Sequence, residues 1–302
     1  MCDIWKANSA GTSLDLAVVD RLLGEFRDLG VEWVVLSGGE ALMHPNLWAL
    51  CERLKSLGVK ITLLSSGLLL ARHAADIVRW CDEVIVSLDG TQPTHNTIRG
   101  IKNAYRSLAD GIRALRHAKA DFPVAARCVI QRGNFRELPA IVDAAREIGL
   151  DHLSFLAADL SSTAFNRPAG WDEERSGEVG LNRAESQELV AMIERLIQER
   201  PQDFASRFIQ ESPDRLRRIA AYSLAAHGLA PLPKVSCNAP WVSTVIDSDG
   251  TVRPCFFHAP LGNVGETGLS DILNSPAARS FRGTLDMSRD PVCRRCVCTL
   301  KL

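Results

Sequence analysis

Cys237, Cys255, Cys293, Cys296 and Cys298 fall in the last quarter of the chain and hold five of its nine cysteines. Cys237 and Cys255 lie on either side of VSTVIDSDGTVRP, a run that reads as a hairpin with an Asp-Gly turn at Gly250. Cys293 and Cys296 form a C-x-x-C. One pair across a hairpin and one in a tight turn can converge as four thiolates on one centre, either zinc or an iron–sulfur cluster. Arg294 and Arg295 would offset part of the negative charge. Cys298 is a spare thiol, a substitute ligand or a ligand to something else. Cys51 and Cys81 sit on or beside expected helices and Cys128 lies inside an expected strand, and all three read as small core residues. Cys2 stands alone in MCDIWK.

A second group of candidates sits where strands end. SGGE (Gly38, Gly39, Glu40) puts a carboxylate beside a glycine turn whose backbone a ligand could approach. SSG begins at Ser65, SLDG contains Ser87 and Asp89, and Asn134 follows a later strand. Arg127 alternates with apolar neighbours and calls for an anionic partner, a ligand carboxylate or Glu40 itself. His44 and His95 read as structural hydrogen-bonding residues, and Trp5 and Trp33 as packing residues.

The elements that must position these residues alternate. Helices are expected over 13–29, 46–57, 68–80, 104–118 and 136–148. Strands are expected over 33–36, 60–64, 83–87, 124–130 and 153–156. Such alternation argues for a parallel sheet with right-handed crossovers, whose sites lie at the C-terminal ends of the strands. Cys2, SGGE, SSG, SLDG and Asn134 would then face one mouth. The array opens with a helix, so a strand before it is expected upstream, with Cys2 in its loop. Residues 157–182 read as a loop, Asn182 and Glu185 as a capping box, and 213–226 as a further helix. The expected domains are a barrel over 1–160, a loop and helical connector over 161–233, and a cysteine-rich domain over 234–302.

The composition excludes some classes of function. Basic and acidic residues number 35 and 36, for a net charge of -1, so no strong field recruits nucleic acid or an anionic membrane. No apolar run reaches the length of a membrane helix. Nine cysteines without a secretory signal read as cytoplasmic thiols or metal ligands.

Taken together, the chain resembles the radical S-adenosylmethionine (radical SAM) superfamily, in its SPASM and twitch subfamily. The resemblance implies an α/β fold: a partial (β/α)6 TIM-like barrel lacking its first strand, plus a small twitch/SPASM-like iron–sulfur domain. MCDIWK is similar to the end of the family's C-x-x-x-C-x-x-C loop, which makes Cys2 a ligand of a [4Fe–4S] cluster whose other cysteines lie upstream. By the same resemblance, Gly38, Gly39, Glu40, Ser65, Ser87, Asp89, Arg127 and Asn134 bind S-adenosylmethionine, and HNTIRG is a segment that follows. Cys237, Cys255, Cys293 and Cys296 hold an auxiliary [4Fe–4S] cluster, one quartet suiting the single-cluster twitch form. The implied activity is an oxidoreductase in which a 5′-deoxyadenosyl radical abstracts hydrogen from a peptide or protein substrate, with ferredoxin or flavodoxin as reductant. Two alternatives stay open: a dehydrogenase of a small molecule such as an amino sugar alcohol, and a non-catalytic one-cluster binding or electron-transfer relative. A zinc-stabilised α/β protein is the remaining alternative.

Overall fold

The structure is a computed structural model that describes residues 13–165, 167 and 169–298. The expectations for Cys2 and Trp5 lie outside these residues.

Helix α1 (Leu16–Asp28) begins where the Asp15 side chain accepts the Ala17 N–H at 2.8 Å. Strand β1 (Trp33–Leu36) follows, then α2 (Leu47–Lys55), β2 (Lys60–Ser65), α3 (Leu70–Trp80) and β3 (Glu83–Ser87). Next come α4 (Gln92–Arg99), α5 (Ala104–Ala118), β4 (Val124–Ile130), α6 (Leu138–Glu147) and β5 (His152–Ala157). The strand order is β1-β2-β3-β4-β5, and β2 to β5 pair in parallel. Period-two burial explains the sheet. On one face Val84, Val86, Val124, Ala126, Cys128, Leu153 and Phe155 are at most 1% exposed, as crossover helices covering that face require.

Helices α7 (Glu173–Val179), α8 (Arg183–Glu199), α9 (Pro201–Ala205) and α10 (Pro213–Ala226) come next. Helix α7 interrupts the expected loop, because Asp172 caps it by accepting the Arg175 N–H at 2.7 Å. The capping box of Asn182 and Glu185 forms at the start of α8. The expected connector also continues the barrel's own pattern. Leu153 N–H donates to Phe208 O at 2.7 Å, and Gln210 N–H donates to Leu153 O at 2.9 Å. This parallel bridge between Leu153 and Ile209 makes α8 and α9 the crossover from β5 to a rudimentary sixth strand. Periodicity cannot show a strand that short.

The remaining elements are α11 (Ala239–Val242), β6 (Val245–Ile246), β7 (Thr251–Arg253), β8 (Gly262–Asn263), α12 (Leu269–Leu273), α13 (Pro276–Thr284) and α14 (Pro291–Arg294). Strands β6, β7 and β8 form an antiparallel sheet. Gly250 turns the expected hairpin with φ of 84°, and a Cβ there would stand 2.9 Å from Asn263 Oδ1. Only glycine fits.

The chain divides into two compact units that are not continuous in sequence. One joins Thr62–Leu160 with Trp171–Pro233. The other joins the described part of Cys2–Ile61 with Ser161–Gly170 and the described part of Lys234–Leu302. This differs from the expected division at residues 160 and 233, and α1 supplies the reason. Its Leu22 is buried in one cluster with Val252, Val264, Leu269 and Ile272, flanked by Val18 and Phe26. Glu25 adds a polar tie, its Oε2 accepting the Ser270 N–H at 2.6 Å.

Candidate functional site

In the unit that holds the C-terminal region, the four expected thiols come within electrostatic reach of one another. Burial, reinforced by neighbouring groups, pushes the Cys293 and Cys296 thiols up to about 12, and raises that of Cys255. The Cys237 and Cys255 sulfurs act on both Cys293 and Cys296, and Cys237 acts on Cys255. Without a metal Cys255, Cys293 and Cys296 are neutral thiols at pH 7; a metal must displace their protons to bind, and its own charge favours that.

Local structure presents each one. Cys237 Sγ accepts the Ala239 N–H at 3.4 Å. Asp290 caps α14, its Oδ1 accepting from Val292 N at 3.0 Å and Cys293 N at 2.8 Å. The Cys296 N–H closes a turn onto Cys293 O at 3.0 Å. Cys298 is exposed, and its carbonyl accepts from Cys296 Sγ at 2.8 Å. Four cysteines of this type suit a tetrathiolate iron–sulfur centre. Cys51, Cys81 and Cys128 are 0%, 5% and 0% exposed, as core residues should be.

Two neighbours of this centre carry no motif signal. Phe165, at φ of 58°, packs tilted against Phe256 and edge-on against Phe257, the two residues after Cys255, with centroids 5.4 and 5.7 Å away. His258 Nε2 lies 3.3 Å from Cys293 Sγ. The only sequence signal for it is its place three residues after Cys255.

The same unit carries the glycine turn after β1. Gly38 has φ of 145°, a conformation side chains rarely adopt, and the space a Cβ would take is open. Such a cradle admits a ligand close to the backbone. Glu40 caps the next turn, its Oε1 accepting the Leu42 N–H at 3.3 Å. His44 is structural: its Nδ1 accepts the Asn46 N–H at 3.1 Å, and its Nε2 faces Leu14 O at 3.2 Å. Trp33, expected to pack, is 48% exposed.

In the other unit the remaining expected residues separate into two sets. Ser87, Arg127 and Ser154 occupy one register row across β3, β4 and β5, on the face opposite the helices. Arg127 is exposed there. Ser65, Asp89 and Asn134 turn inward instead. Ser65 shares the buried parity of Ile61 and Leu63, and its Oγ accepts the Gly67 N–H at 3.0 Å. Asp89 is 0% exposed and paired with Arg99 Nη2 at 2.5 Å. Burial raises its carboxyl against the pull of Arg99. Asn134 Nδ2 donates to Asp89 O and Val129 O at 2.9 Å each, and its Oδ1 accepts the Gln131 N–H at 2.8 Å. These three residues hold strand ends in place, whereas Ser87 and Arg127 lie on the opposite sheet face. His95 completes the cluster, its Nδ1 accepting the Asp89 N–H at 3.1 Å, and burial lowers its pKa to about 4.

Nothing in the sequence singles out Glu211. Its carboxylate accepts from Ser154 Oγ at 2.7 Å and Phe155 N at 2.8 Å, and burial raises its pKa. A cavity of about 580 Å³ opens beside Ile130 and Ala157, the last residues of β4 and β5, and is closed by Leu189, Ile219, Tyr222 and Ala226.

Comparison with known proteins bears on both regions. Residues 1–145 match the model of the radical SAM superfamily, and residues 237–297 match that of SPASM, an iron–sulfur cluster-binding domain. The chain is 30% identical over 308 residues to a PqqA peptide cyclase of Methylobacterium sp. strain 4-46, spanning 96% of this chain and 72% of that protein. Its fold is similar to that of native anSMEcpe with bound AdoMet and Kp18Cys peptide. That match has a TM-score of 0.65 at 16% identity, over 94% of this chain and 80% of the other. It is also similar to Streptococcus suis SuiB bound to precursor peptide SuiA. There the TM-score is 0.62 at 13% identity, over 94% and 64% of the two chains.

Proposed function

The chain belongs to the radical SAM superfamily and carries a SPASM iron–sulfur cluster-binding domain, and from that premise we propose that it oxidatively modifies a peptide or protein substrate. The observation that carries the reading is the match of residues 237–297 to SPASM, an iron–sulfur cluster-binding domain, a span that takes in Cys237, Cys255, Cys293 and Cys296. A peptide substrate is supported by the PqqA peptide cyclase, which the chain matches over nearly its whole length.

When bound, the family's [4Fe–4S] cluster and S-adenosylmethionine supply a 5′-deoxyadenosyl radical that takes hydrogen from an unactivated carbon. Cys2, the expected cluster ligand, lies outside the described residues, so no step is derived through that cluster. Of the residues expected to bind S-adenosylmethionine, Gly38 and Gly39 offer an open backbone and Glu40 a carboxylate in one unit, and Ser87 and Arg127 lie on the sheet face opposite the helices in the other. Arg127 offers a fork of donors that suits the cofactor's carboxylate.

The single quartet favours one auxiliary cluster of the twitch type, and four cysteine ligands leave no iron open to substrate, which favours electron transfer. We infer a ferredoxin or flavodoxin as the electron donor and the cytoplasm as the compartment. Among the described residues no helix is long and apolar enough to cross a membrane.

The test is formation of 5′-deoxyadenosine by the anaerobically reconstituted protein with S-adenosylmethionine and a reductant, with size-fractionated cell extract added. Stimulation by the peptide fraction supports the reading. Stimulation by the small-molecule fraction alone replaces it with the dehydrogenase reading. No 5′-deoxyadenosine under any condition, from a correctly reconstituted form that includes the expected upstream cysteines, leaves the non-catalytic relative.

A further inference from the structure

His258 belongs to neither the cysteine pattern nor the hairpin motif, yet its Nε2 stands 3.3 Å from Cys293 Sγ, 35 positions away in sequence. Its side chain is 9% exposed. Its ring meets Phe281 edge-on, with centroids 4.8 Å apart. The imidazole is therefore held in place by packing as well as by its polar neighbour. His258, Asp290 and Cys293 bring their ligand atoms within 4.8 Å of one another. Asp290 is not the hydrogen-bond partner of the ring: its Oδ1 is 3.9 Å from Nε2 and already accepts from Val292 and Cys293 N–H groups.

Donor counting then assigns the role of the imidazole. A cysteine bound to iron has lost its proton and can only accept. Of the two groups flanking Cys293 Sγ, the carboxylate has no proton to give, whereas the ring can carry one at Nε2. A hydrogen bond to a ligand sulfur draws charge away from the cluster and favours its more negative, reduced state.

We propose that His258 is a positioning residue for the auxiliary cluster, its Nε2–H donating to the Cys293 thiolate and setting the cluster's reduction potential above that of the cysteine quartet alone. The proposal rests on the reading that the quartet holds an iron–sulfur cluster. It gives the auxiliary centre a tuning element, consistent with a centre that takes up an electron.

The experiment compares the wild type with His258→Phe and His258→Gln, each reconstituted anaerobically as the full chain. Iron and sulfide are counted per chain, and the auxiliary midpoint is read by redox titration followed by electron paramagnetic resonance. All three proteins are expected to hold the same iron. In His258→Phe the reduced-to-oxidised ratio at the wild-type midpoint should fall about tenfold, a negative shift of about 59 mV for one electron. His258→Gln, whose amide can still donate, should keep most of the wild-type value. An unchanged midpoint in fully loaded His258→Phe overturns the proposal and leaves the quartet reading intact. A wild-type chain that takes up no auxiliary iron overturns both. Nitrogen hyperfine coupling in wild type with ¹⁵N-labelled histidine covers a variant that does not fold. Weak coupling supports donation to sulfur, and the strong coupling of a directly ligated nitrogen, or none at all, overturns it.

Discussion

Replacing Arg99 with methionine tests whether Asp89 is a structural anchor. Asp89 is 0% exposed, and its ion partner is Arg99 at 2.5 Å. Removing one member of a buried pair costs about 3–5 kcal/mol, because the other charge is left without compensation. The folded protein can escape by protonating Asp89. At pH 7 that costs about 4 kcal/mol for a carboxyl with an ordinary value of 3.8. The two routes therefore converge, and Arg99→Met should lose about 4 kcal/mol at pH 7. Burial already raises Asp89 in the wild type, and more so without the arginine. A raised folded-state value contributes stability at low pH that is lost as pH rises through it. The deficit of Arg99→Met should accordingly shrink to about 2 kcal/mol at pH 5. Urea unfolding of the anaerobically reconstituted chain, followed by circular dichroism at both pH values, measures this. Asp89→Asn/Arg99→Met removes the stranded charge and should recover at least half of the loss. The argument fails if Arg99→Met lies within about 1 kcal/mol of wild type, if its deficit is the same at both pH values, or if the double variant is no better than the single.

Asn134→Ala should cost about 2–4 kcal/mol in the same assay, because it strands the Gln131 N–H and two buried carbonyls; Asn134→Asp should be worse, since it faces those carbonyls with a carboxylate. His95, lowered to about 4 by burial and then by Arg99, takes a proton more readily when unfolded. Its contribution is complete above pH 6.5 and falls by about 3 kcal/mol as pH drops toward 4, so His95→Asn should flatten that part of the stability profile. Glu25→Ala should destabilise the unit holding the C-terminal region by about 1–2 kcal/mol, with faster hydrogen exchange at Ser270, whose N–H it now accepts. Arg127→Ala should weaken S-adenosylmethionine binding about tenfold by calorimetry, while stability stays within about 0.5 kcal/mol, since the side chain is exposed.

The sequence by itself determined the elements whose signals are local. Strands over 33–36, 83–87 and 124–130 and helices over 104–118 and 213–226 form with the bounds their apolar periodicity dictates. The types and spacing of Cys237, Cys255, Cys293 and Cys296 already pointed to thiolate chemistry in the region that matches the iron–sulfur cluster-binding SPASM domain, because softness and charge belong to the residue itself. Tertiary structure decided where side chains point and what meets across long separations. Ser65, Asp89 and Asn134 look like cofactor contacts when only their place after a strand is known. Burial of each beside a partner on a neighbouring turn or strand makes them anchors. The Leu153–Ile209 bridge, the seat of α1 on Val252 and Ile272, and His258 beside Cys293 all join residues more than thirty positions apart. Such pairings arise because each apolar face or unpaired polar group must find a partner within the folded chain, and the nearest in space need not be near in sequence.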